Sequence, residues 1–174
     1  MKSLDPTGLK RLHREWRRQT SGRVALVLDG VQSPFNVGAI VRTAAAYRVD
    51  HVWLAGATSP IASAGVKKTA LGTDRYLTIT SCAQVADAID EAHADGYRVV
   101  AVELADGAQP LHELRVGDAV CLVVGNEDHG VSAAALKACD DIAFLPQLGK
   151  VGSLNVATAT SIALYEVRRQ EWSS

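Results

Sequence analysis

The sequence predicts an α/β domain whose core is one mostly parallel β-sheet with helices on both faces. Two features lead to this prediction. Six short runs rich in valine, leucine and alanine follow one another along the chain, and segments with helical spacing of apolar residues separate them. Strands of a parallel sheet are covered on both faces and therefore read as continuous apolar runs. Aromatic residues make up only 5% of the chain, which favours this architecture over an all-β sandwich.

The predicted strands are short apolar runs, and most of them stop at a glycine, a proline or a charged residue. They cover residues 24–28, 51–55, 76–80, 97–104, 120–124 and 142–145. Helices are predicted over 7–19, 36–48, 82–95 and 153–170, with a short helix inside 57–75 and another after Ser132. Ser81 is expected to cap the helix over 82–95. The last helix is apolar nearly all round as far as Glu166, which indicates a buried helix.

The length of 174 residues favours a single domain with a short N-terminal arm. We place the arm at residues 1–20 and the domain at residues 21–174. Residues 1–23 carry seven basic and two acidic side chains, although the formal net charge of the whole chain is −1. Such a basic helix can bind phosphate groups, and a solvated helix face is the alternative.

The cysteines and the apolar runs exclude several other classes of protein. Cys82, Cys121 and Cys139 form no CxxC motif and no cluster with histidine, so neither a zinc site nor a disulfide framework is expected. No stretch reaches about 18 apolar residues, and no apolar leader opens the chain. We therefore expect no metal, no signal peptide and no membrane span, and the cytoplasm is the expected compartment.

Polar residues gather where the predicted strands end, which is the edge at which open parallel sheets bind ligands. The strand ends carry Asp29-Gly30, Glu103-Leu104, Gly125-Asn126-Glu127 and Leu145-Pro146. The segment after the first of them opens a helix with Asn36, which can cap it, and Arg42 follows almost two turns later. Asn36 and Arg42 could face one site, where the planar fork of arginine suits phosphate. A capped helix with a surface ion pair is the alternative.

Two further segments have the composition of binding sites. In the loop 125–130, two glycines bracket polar residues, and such a loop can present backbone N–H groups to an anion or a carboxylate to a cation. In the segment 145–159, Ser153 or Asn155 stands at the start of the last helix, whose N-terminus suits an anion. A solvated turn and an ordinary helix cap are the alternatives.

Together these segments resemble the SpoU/TrmH family of RNA 2′-O-ribose methyltransferases, in the SPOUT superfamily. The resemblance covers about residues 23–170. The first motif is Asn36-Val-Gly-Ala-Ile-Val-Arg42, which matches N-x-G-x-x-x-R. The second is Gly125-Asn-Glu127-Asp-His-Gly130, which matches G-x-E-x-x-G, and the third is Ser153-Leu-Asn155-Val. Gln147 stands where the family usually has methionine, and Ala157 where serine is common.

The resemblance implies a C-terminal deep trefoil knot, which sequence rules alone do not suggest because knots are nearly absent among folds. It also implies that the loops of this knot hold S-adenosylmethionine, largely through backbone groups. Carried over to this chain, the cofactor-binding residues are Val102, Glu103, Leu104, Gly125, Asn126, Leu145 and Leu154.

The resemblance further implies a homodimer with its active site at the subunit interface. The residues that match the family's functional positions are Arg42, Asn36, Glu127, Ser153 and Asn155. The reaction would transfer a methyl group to a ribose 2′-hydroxyl. Because an arginine side chain stays protonated at neutral pH, we expect Arg42 to bind the neighbouring phosphate and stabilise the developing alkoxide. Glu127, Ser153 and Asn155 would orient the ribose and the loops.

The expected partner is structured RNA, with tRNA favoured over rRNA. The candidate phosphate contacts are Arg11, Arg14, Arg17, Arg18, Lys67, Lys68 and Lys150. No long accessory domain is recognisable, so the arm, the dimer surface or a partner protein would have to select the target. The alternatives are a catalytically idle RNA-binding homodimer of the same fold and a nucleotide-binding oxidoreductase, which the missing G-x-G-x-x-G motif disfavours.

Overall fold

The computed structural model describes residues 3–173 and shows a sheet of seven strands in the order β3-β2-β1-β6-β4-β7-β5. The strands are β1 (Arg23–Asp29), β2 (His51–Ala55), β3 (Thr78–Cys82), β4 (Arg98–Val102), β5 (Gln109–Pro110), β6 (Ala119–Val124) and β7 (Asp141–Phe144). The helices are α1 (Pro6–Arg18), α2 (Pro34–Ala46), α3 (Ala64–Ala70), α4 (Val85–Ala94), α5 (Ala133–Ala138) and α6 (Val156–Trp172). Every neighbouring pair of these strands is parallel, which confirms the predicted fold class. Residues 1–2 of the predicted arm and Ser174 of the predicted domain lie outside the described residues.

Helices cover both faces of the sheet, as predicted. Along β1, Leu26 and Leu28 pack with α2, α3 and α6 on one face, whereas Ala25 and Val27 pack with α4 and α5 on the other. All four of these side chains are fully buried. This alternation explains why the strand reads as a continuous apolar run. Successive side chains point to opposite faces of the sheet, and helices cover both faces.

Four local expectations differ from the structure. Asn36 does not cap α2, because the helix begins at Pro34 and the side chain of Ser33 caps it by accepting from the backbone N–H of Asn36. Tyr76 lies in a 3₁₀ turn, Thr73–Tyr76, rather than at the start of the third strand. Ser81 lies inside β3, and α4 begins at Val85 after Gln84, which makes no capping bond through its side chain. The edge strand β5 was not predicted, because it has only two residues, one of them proline, and so shows no apolar run or alternation in the sequence.

Helix α6 is buried along one face only, so the prediction of a helix buried all round was too broad. Ile162 and Tyr165 are 44% and 49% exposed. On the buried face, Arg168 is 2% exposed and donates hydrogen bonds to the carbonyl oxygens of Tyr47, Arg48 and Gly22 at 3.0, 2.9 and 2.7 Å. Arg168 therefore joins α6 to the end of α2 and to the entrance of β1.

We expect Arg168→Met to lower the free energy of unfolding by about 3 kcal/mol, since it leaves buried carbonyl groups without a donor. Arg169→Met is the matched control, because its side chain is 44% exposed and pairs with Glu166 on the same helix. The control should change the free energy of unfolding far less, because solvent screens an exposed ion pair. Urea unfolding of the two variants measures the difference, and equal losses would contradict the role assigned to Arg168.

The connection from β4 to β5 crosses the end of β7. In the sheet, β7 lies between β4 and β5, and Ala143 is level with both Val102 and Gln109. Residues 103–108 therefore bridge the carboxyl end of β7, and the chain that leaves β7 has to pass this bridge. The trefoil knot itself stays a prediction.

The arm is attached to the domain through the end of α1. Trp16 contacts Trp172 with ring centroids 4.9 Å apart, and the Trp172 Nε1–H donates to Thr20 Oγ1 at 2.9 Å. No residue of α1 is buried, and Leu9 and Leu12 are among its exposed apolar side chains. Within residues 3–173, no helix is both long enough and apolar enough to cross a membrane.

Candidate functional site

A cleft of about 560 Å³ lies at the carboxyl ends of β4, β6 and β7, beside the start of α6. Ten of the twelve predicted catalytic and cofactor-binding residues line it: Val102, Glu103, Leu104, Gly125, Asn126, Glu127, Leu145, Ser153, Leu154 and Asn155. The volume lies within the range of small-molecule sites, about 300 to 1,000 Å³. The position is the one at which open parallel sheets bind ligands.

The loop after β6 is held by its own backbone. Asn126 and Gly130 form an antiparallel bridge, and Asn126 Oδ1 accepts from the backbone N–H groups of Asp128 and His129 at 2.9 and 3.1 Å. A side chain on Gly125 would place its Cβ 2.1 Å from the carbonyl carbon of Gly130. The first glycine of this motif is therefore required by backbone packing inside the cleft wall.

Glu103 fastens this loop to the end of β4. Its Oε2 accepts from the backbone N–H of Val131 at 2.8 Å, and its Oε1 accepts from that of Leu104 at 2.9 Å. A Cβ on Gly130 would lie 2.2 Å from Glu103 Oε2, so the second glycine makes room for this carboxylate. Sequence reasoning proposed Glu103 as a cofactor contact, and the geometry gives it a positioning role at the cleft.

Glu127 joins the first and second motifs. Its carboxylate accepts from the side-chain amide of Asn36 at 2.9 Å and from the backbone N–H groups of Ser33 and Gln32 at 3.0 and 3.1 Å. Asn36 and Glu127 can form this hydrogen bond because β1 and β6 are neighbours in the sheet, so the segments that follow the two strands lie side by side.

Asn155 adds the third motif to this network. Its Nδ2 donates to Asn36 Oδ1 at 3.0 Å, while its Oδ1 caps α6 by accepting from the backbone N–H groups of Ala157 and Thr158. Asn36 thus donates to one motif and accepts from the other. The three segments singled out from the sequence form one hydrogen-bonded chain, Glu127–Asn36–Asn155, at the rim of the cleft.

Hydrogen bonding keeps Glu127 ionised. Burial raises the pKa of this carboxyl, but the hydrogen bonds from Asn36 and from the backbone of Ser33 and Gln32 outweigh it, and the pKa lies below its usual range. A lowered folded-state pKa contributes stability that is complete above the unfolded pKa and is lost as the pH falls through the folded one.

We expect this contribution to be constant at neutral pH and to disappear only below about pH 4.5, near the pKa of an unperturbed glutamate. The free energies of unfolding of the wild type and of Glu127→Gln, measured from pH 3 to 7, should differ by a constant amount above this range and converge below it. A difference that changed between pH 6 and 7 would contradict the lowered pKa.

Arg42 is exposed and does not line the cleft. Arg42 follows Asn36 by six positions, and at about 100° per residue this turns the two side chains about 120° apart on α2. Within one chain, Arg42 therefore lies apart from the hydrogen-bonded network of Asn36. Arg42 instead shares a face of α2 with Gly38, which packs against Thr69 and Ala70 at the end of α3.

The predicted phosphate contacts are all exposed and lie in three places. Arg11, Arg14, Arg17 and Arg18 lie on α1, Lys67 and Lys68 on α3, and Lys150 in the loop after β7. Only Lys150 belongs to a segment that lines the cleft. In residues 3–173 no cluster of three or more histidine, cysteine or carboxylate side chains has the arrangement of a metal site.

The family model of the SpoU rRNA Methylase family matches residues 23–165 of the chain. The chain belongs to the SpoU rRNA Methylase family. The match includes all three motifs and nearly the whole domain apart from the arm and the end of α6, which confirms the resemblance found in the sequence.

Several proteins resemble the chain in sequence or in fold. The 23S rRNA (guanosine(2553)-2′-O)-methyltransferase of Bacillus subtilis is 33% identical over 90% of this chain and 62% of its own length. The SpoU methyltransferase AviRb of Streptomyces viridochromogenes, solved in complex with AdoMet, is 26% identical over 88% of this chain and 62% of its own, with a TM-score of 0.80. The TrmH/SpoU tRNA modifying enzyme of A. aeolicus is 28% identical over 95% of this chain and 87% of its own, with a TM-score of 0.78. The chain spans 55% to 62% of the length of the first curated relatives that it matches.

Gln147 is a cleft residue that sequence reasoning did not propose for the site. Its Oε1 is buried and has no hydrogen-bond partner among the described residues, an arrangement that costs free energy unless a ligand supplies a donor. The sequence carried no signal for this beyond the departure from methionine. A pocket with a spare acceptor, three carboxylates (Glu103, Glu127 and Asp128) and glycine-lined backbone suits a small cationic ligand with amino and hydroxyl donors.

Proposed function

We propose that the protein is an S-adenosylmethionine-dependent methyltransferase that methylates a ribose 2′-hydroxyl in structured RNA. The single observation that carries the proposal is the Glu127–Asn36–Asn155 chain, which joins the three family motifs at the rim of the cleft. The alternative, a nucleotide-binding oxidoreductase, does not explain why these three segments are joined. The AdoMet complex of AviRb, which shares the fold, supports the choice of cofactor.

The cleft residues fit S-adenosylmethionine. This cofactor supplies a methyl group on a positively charged sulfonium, and the acidic cleft suits that charge. Gln147 Oε1 offers an acceptor for one of its donors. The bridge 103–108, the loop after β6 and the start of α6 enclose it on three sides, so that Val102, Gly125 and Leu154 would supply backbone contacts.

The protein has to orient the acceptor oxygen and stabilise its charge as its proton leaves. The 2′-hydroxyl is a weak nucleophile until it loses this proton. Arg42, with no partner of its own among residues 3–173, is available to bind the adjacent phosphate and the developing alkoxide. Water or the phosphate accepts the proton, and Ser153 and Asn155 at the rim of the cleft orient the ribose.

Because Arg42 is exposed and does not line the cleft of its own chain, we infer that it serves the cleft of a second copy in a homodimer. The exposed apolar side chains Phe35, Ile162 and Tyr165 support this assembly, since they lie on α2 and α6, which pack against each other. Large exposed apolar patches commonly mark protein interfaces.

We favour tRNA as the substrate over rRNA. The A. aeolicus tRNA modifying enzyme matches this chain along most of both lengths, whereas the rRNA enzyme of Bacillus subtilis is considerably longer than the matched region. The cytoplasm stays the expected compartment, because such RNA is found there.

The proposal is tested by methyl transfer from labelled S-adenosylmethionine to unmodified tRNA and rRNA transcripts, followed by mass spectrometry of the nucleosides. We expect a 2′-O-methylated nucleoside from tRNA. A base-methylated product would overturn the 2′-hydroxyl as acceptor, and a product from rRNA alone would overturn the choice of tRNA. A protein that binds RNA but neither binds the cofactor nor transfers a methyl group would be the idle RNA-binding dimer.

A further inference from the structure

The 3₁₀ turn that follows α3 presents an exposed aromatic ring stacked with an arginine. Tyr76 is 64% exposed, and the guanidinium carbon of Arg75 lies 4.7 Å from the centre of its ring. The Arg75 Nη2–H also donates to the Tyr76 hydroxyl at 2.6 Å. The neighbouring Leu77 packs against the core, whereas Tyr76 does not, so the core gives no reason for an aromatic ring at this position.

Helix packing places this turn beside Arg42. A Cβ on Gly65 would lie 2.9 Å from Pro34, and one on Gly38 would lie 2.7 Å from Thr69. The contacts advance by four residues along both helices, so α2 and α3 run side by side in the same direction. The next turn of α2 carries Arg42, and the corresponding position past α3 is the turn Thr73–Tyr76, which contacts α2.

The surface between α3 and this turn is basic. Lys67, Lys68 and Arg75 are exposed, and no ion pair joins any of them to a carboxylate within the described residues. Asp74 is the one acidic residue of the stretch 64–76. Downstream of residue 23 the chain has 11 basic and 17 acidic side chains, so a basic patch here stands out from its surroundings.

We propose that Tyr76 and Arg75 form a stacking platform for a nucleobase of the RNA next to the acceptor nucleotide, while Lys67 and Lys68 bind the flanking phosphates. Unpaired RNA bases stack on aromatic rings and on arginine planes, and lysines beside them track the backbone. With one side of the ring against Arg75, the exposed remainder of Tyr76 is free for a base. This inference rests on the proposed function, because it takes RNA as the partner and Arg42 as the residue near the acceptor.

Stacking and phosphate binding respond differently to salt, and this difference tests the proposal. The probe is a fluorescein-labelled, unmodified tRNA transcript without cofactor, and its Kd is measured by anisotropy at several salt concentrations. Tyr76→Ala should weaken binding about tenfold at every salt concentration, because base stacking on an aromatic ring does not release counterions. Tyr76→Phe keeps the ring and should bind within about twofold of the wild type. Lys68→Ala should lower the slope of log Kd against log salt by nearly one, and Lys137→Ala, an exposed lysine on α5, should leave both quantities unchanged.

Several results would overturn the proposal. Tyr76→Ala could bind as tightly as the wild type, Tyr76→Phe could lose as much as Tyr76→Ala, or Tyr76→Ala could change the salt slope. A change of oligomeric state in Tyr76→Ala, detected by sedimentation, would assign the ring to a protein interface instead. Measurements on the wild type distinguish a failure of this proposal from a failure of the proposed function. A wild type that binds the transcript but transfers no methyl group would contradict the proposed function and would not contradict the stacking platform. A wild type that binds neither tRNA nor rRNA transcripts would remove both.

Discussion

Gly125→Ala should abolish cofactor binding and destabilise the fold. The new methyl group would lie 2.1 to 2.2 Å from the carbonyl group of Gly130 and the nitrogen of Val131. These are backbone atoms of a loop that is held by the antiparallel pairing of Asn126 with Gly130 and by the hydrogen bond to Glu103. They therefore cannot move away as the end of a flexible side chain could. We expect the free energy of unfolding to fall by about 3 kcal/mol, as for severe overpacking. Methyl transfer should fall by about 100-fold or more, because displacements of about 1 Å in a site have effects of this size.

Gly149→Ala is the matched control for this variant. It lies in another loop beside the cleft, and its new methyl group would meet nothing closer than the side chain of Val151 at 3.9 Å. Calorimetric titration with S-adenosylhomocysteine and urea unfolding measure both effects. If Gly125→Ala bound the ligand and unfolded like Gly149→Ala, the close contact between Gly125 and Gly130 would be unimportant for both cofactor binding and stability.

Arg42→Ala should lower kcat about 100- to 1,000-fold, the usual loss when one donor to a developing oxyanion is removed. Cofactor affinity should stay unchanged, since the proposed partners of Arg42 are the phosphate and the acceptor oxygen of the RNA and not the cofactor. Arg42→Lys should recover only part of the activity if the guanidinium has to bind phosphate with two parallel bonds. Single-turnover methyl transfer and cofactor titration separate the two effects. Near-normal kcat in Arg42→Lys would show that a single positive charge is sufficient.

A mixed dimer then shows which cleft Arg42 serves. One protomer carries Arg42→Ala, the other carries Gly125→Ala, and two affinity tags isolate the heterodimer. If Arg42 acts across the interface, the intact cleft of the first protomer receives the intact Arg42 of the second, and about half the wild-type activity returns. If Arg42 acts on its own cleft, the heterodimer stays as inactive as its parents. Glu103→Ala, which releases the same loop, replaces Gly125→Ala if that chain does not accumulate.

The sequence was sufficient to predict the central strands and the three motif segments, because both leave local patterns. Apolar runs identify buried strands such as β1 and β6, and glycine spacing identifies the loop 125–130. The contacts that make these segments one site are not local. Glu127 meets Asn36 across 91 positions of sequence, and only the order of strands in the sheet brings them together. The bond between Glu103 and the backbone N–H of Val131 leaves no sequence pattern, because any residue but proline could donate it.

The face of Arg42 shows a different limit of sequence reasoning. Two residues on one helix can be placed relative to each other by arithmetic, yet the surroundings of each face depend on which elements pack there. Asn36 faces the loop after β6 and the start of α6, whereas Arg42 shares its face with Gly38, against which α3 packs. Gly38 is the glycine of the first motif, and because it has no side chain, α3 can pack closely against α2 at this position.

The late position of β7 also bears on how the protein is made. In the growing chain, β1 cannot complete its pairing until β6 leaves the ribosome, more than 90 residues later. The cleft needs β7 and the start of α6, which come later still, and β7 has to be inserted between strands that are already present in the chain. Folding dominated by such distant pairings is slow. A nascent chain that ends before α6 would therefore lack the cleft, so the proposed methyl transfer would require a chain that extends through the start of α6.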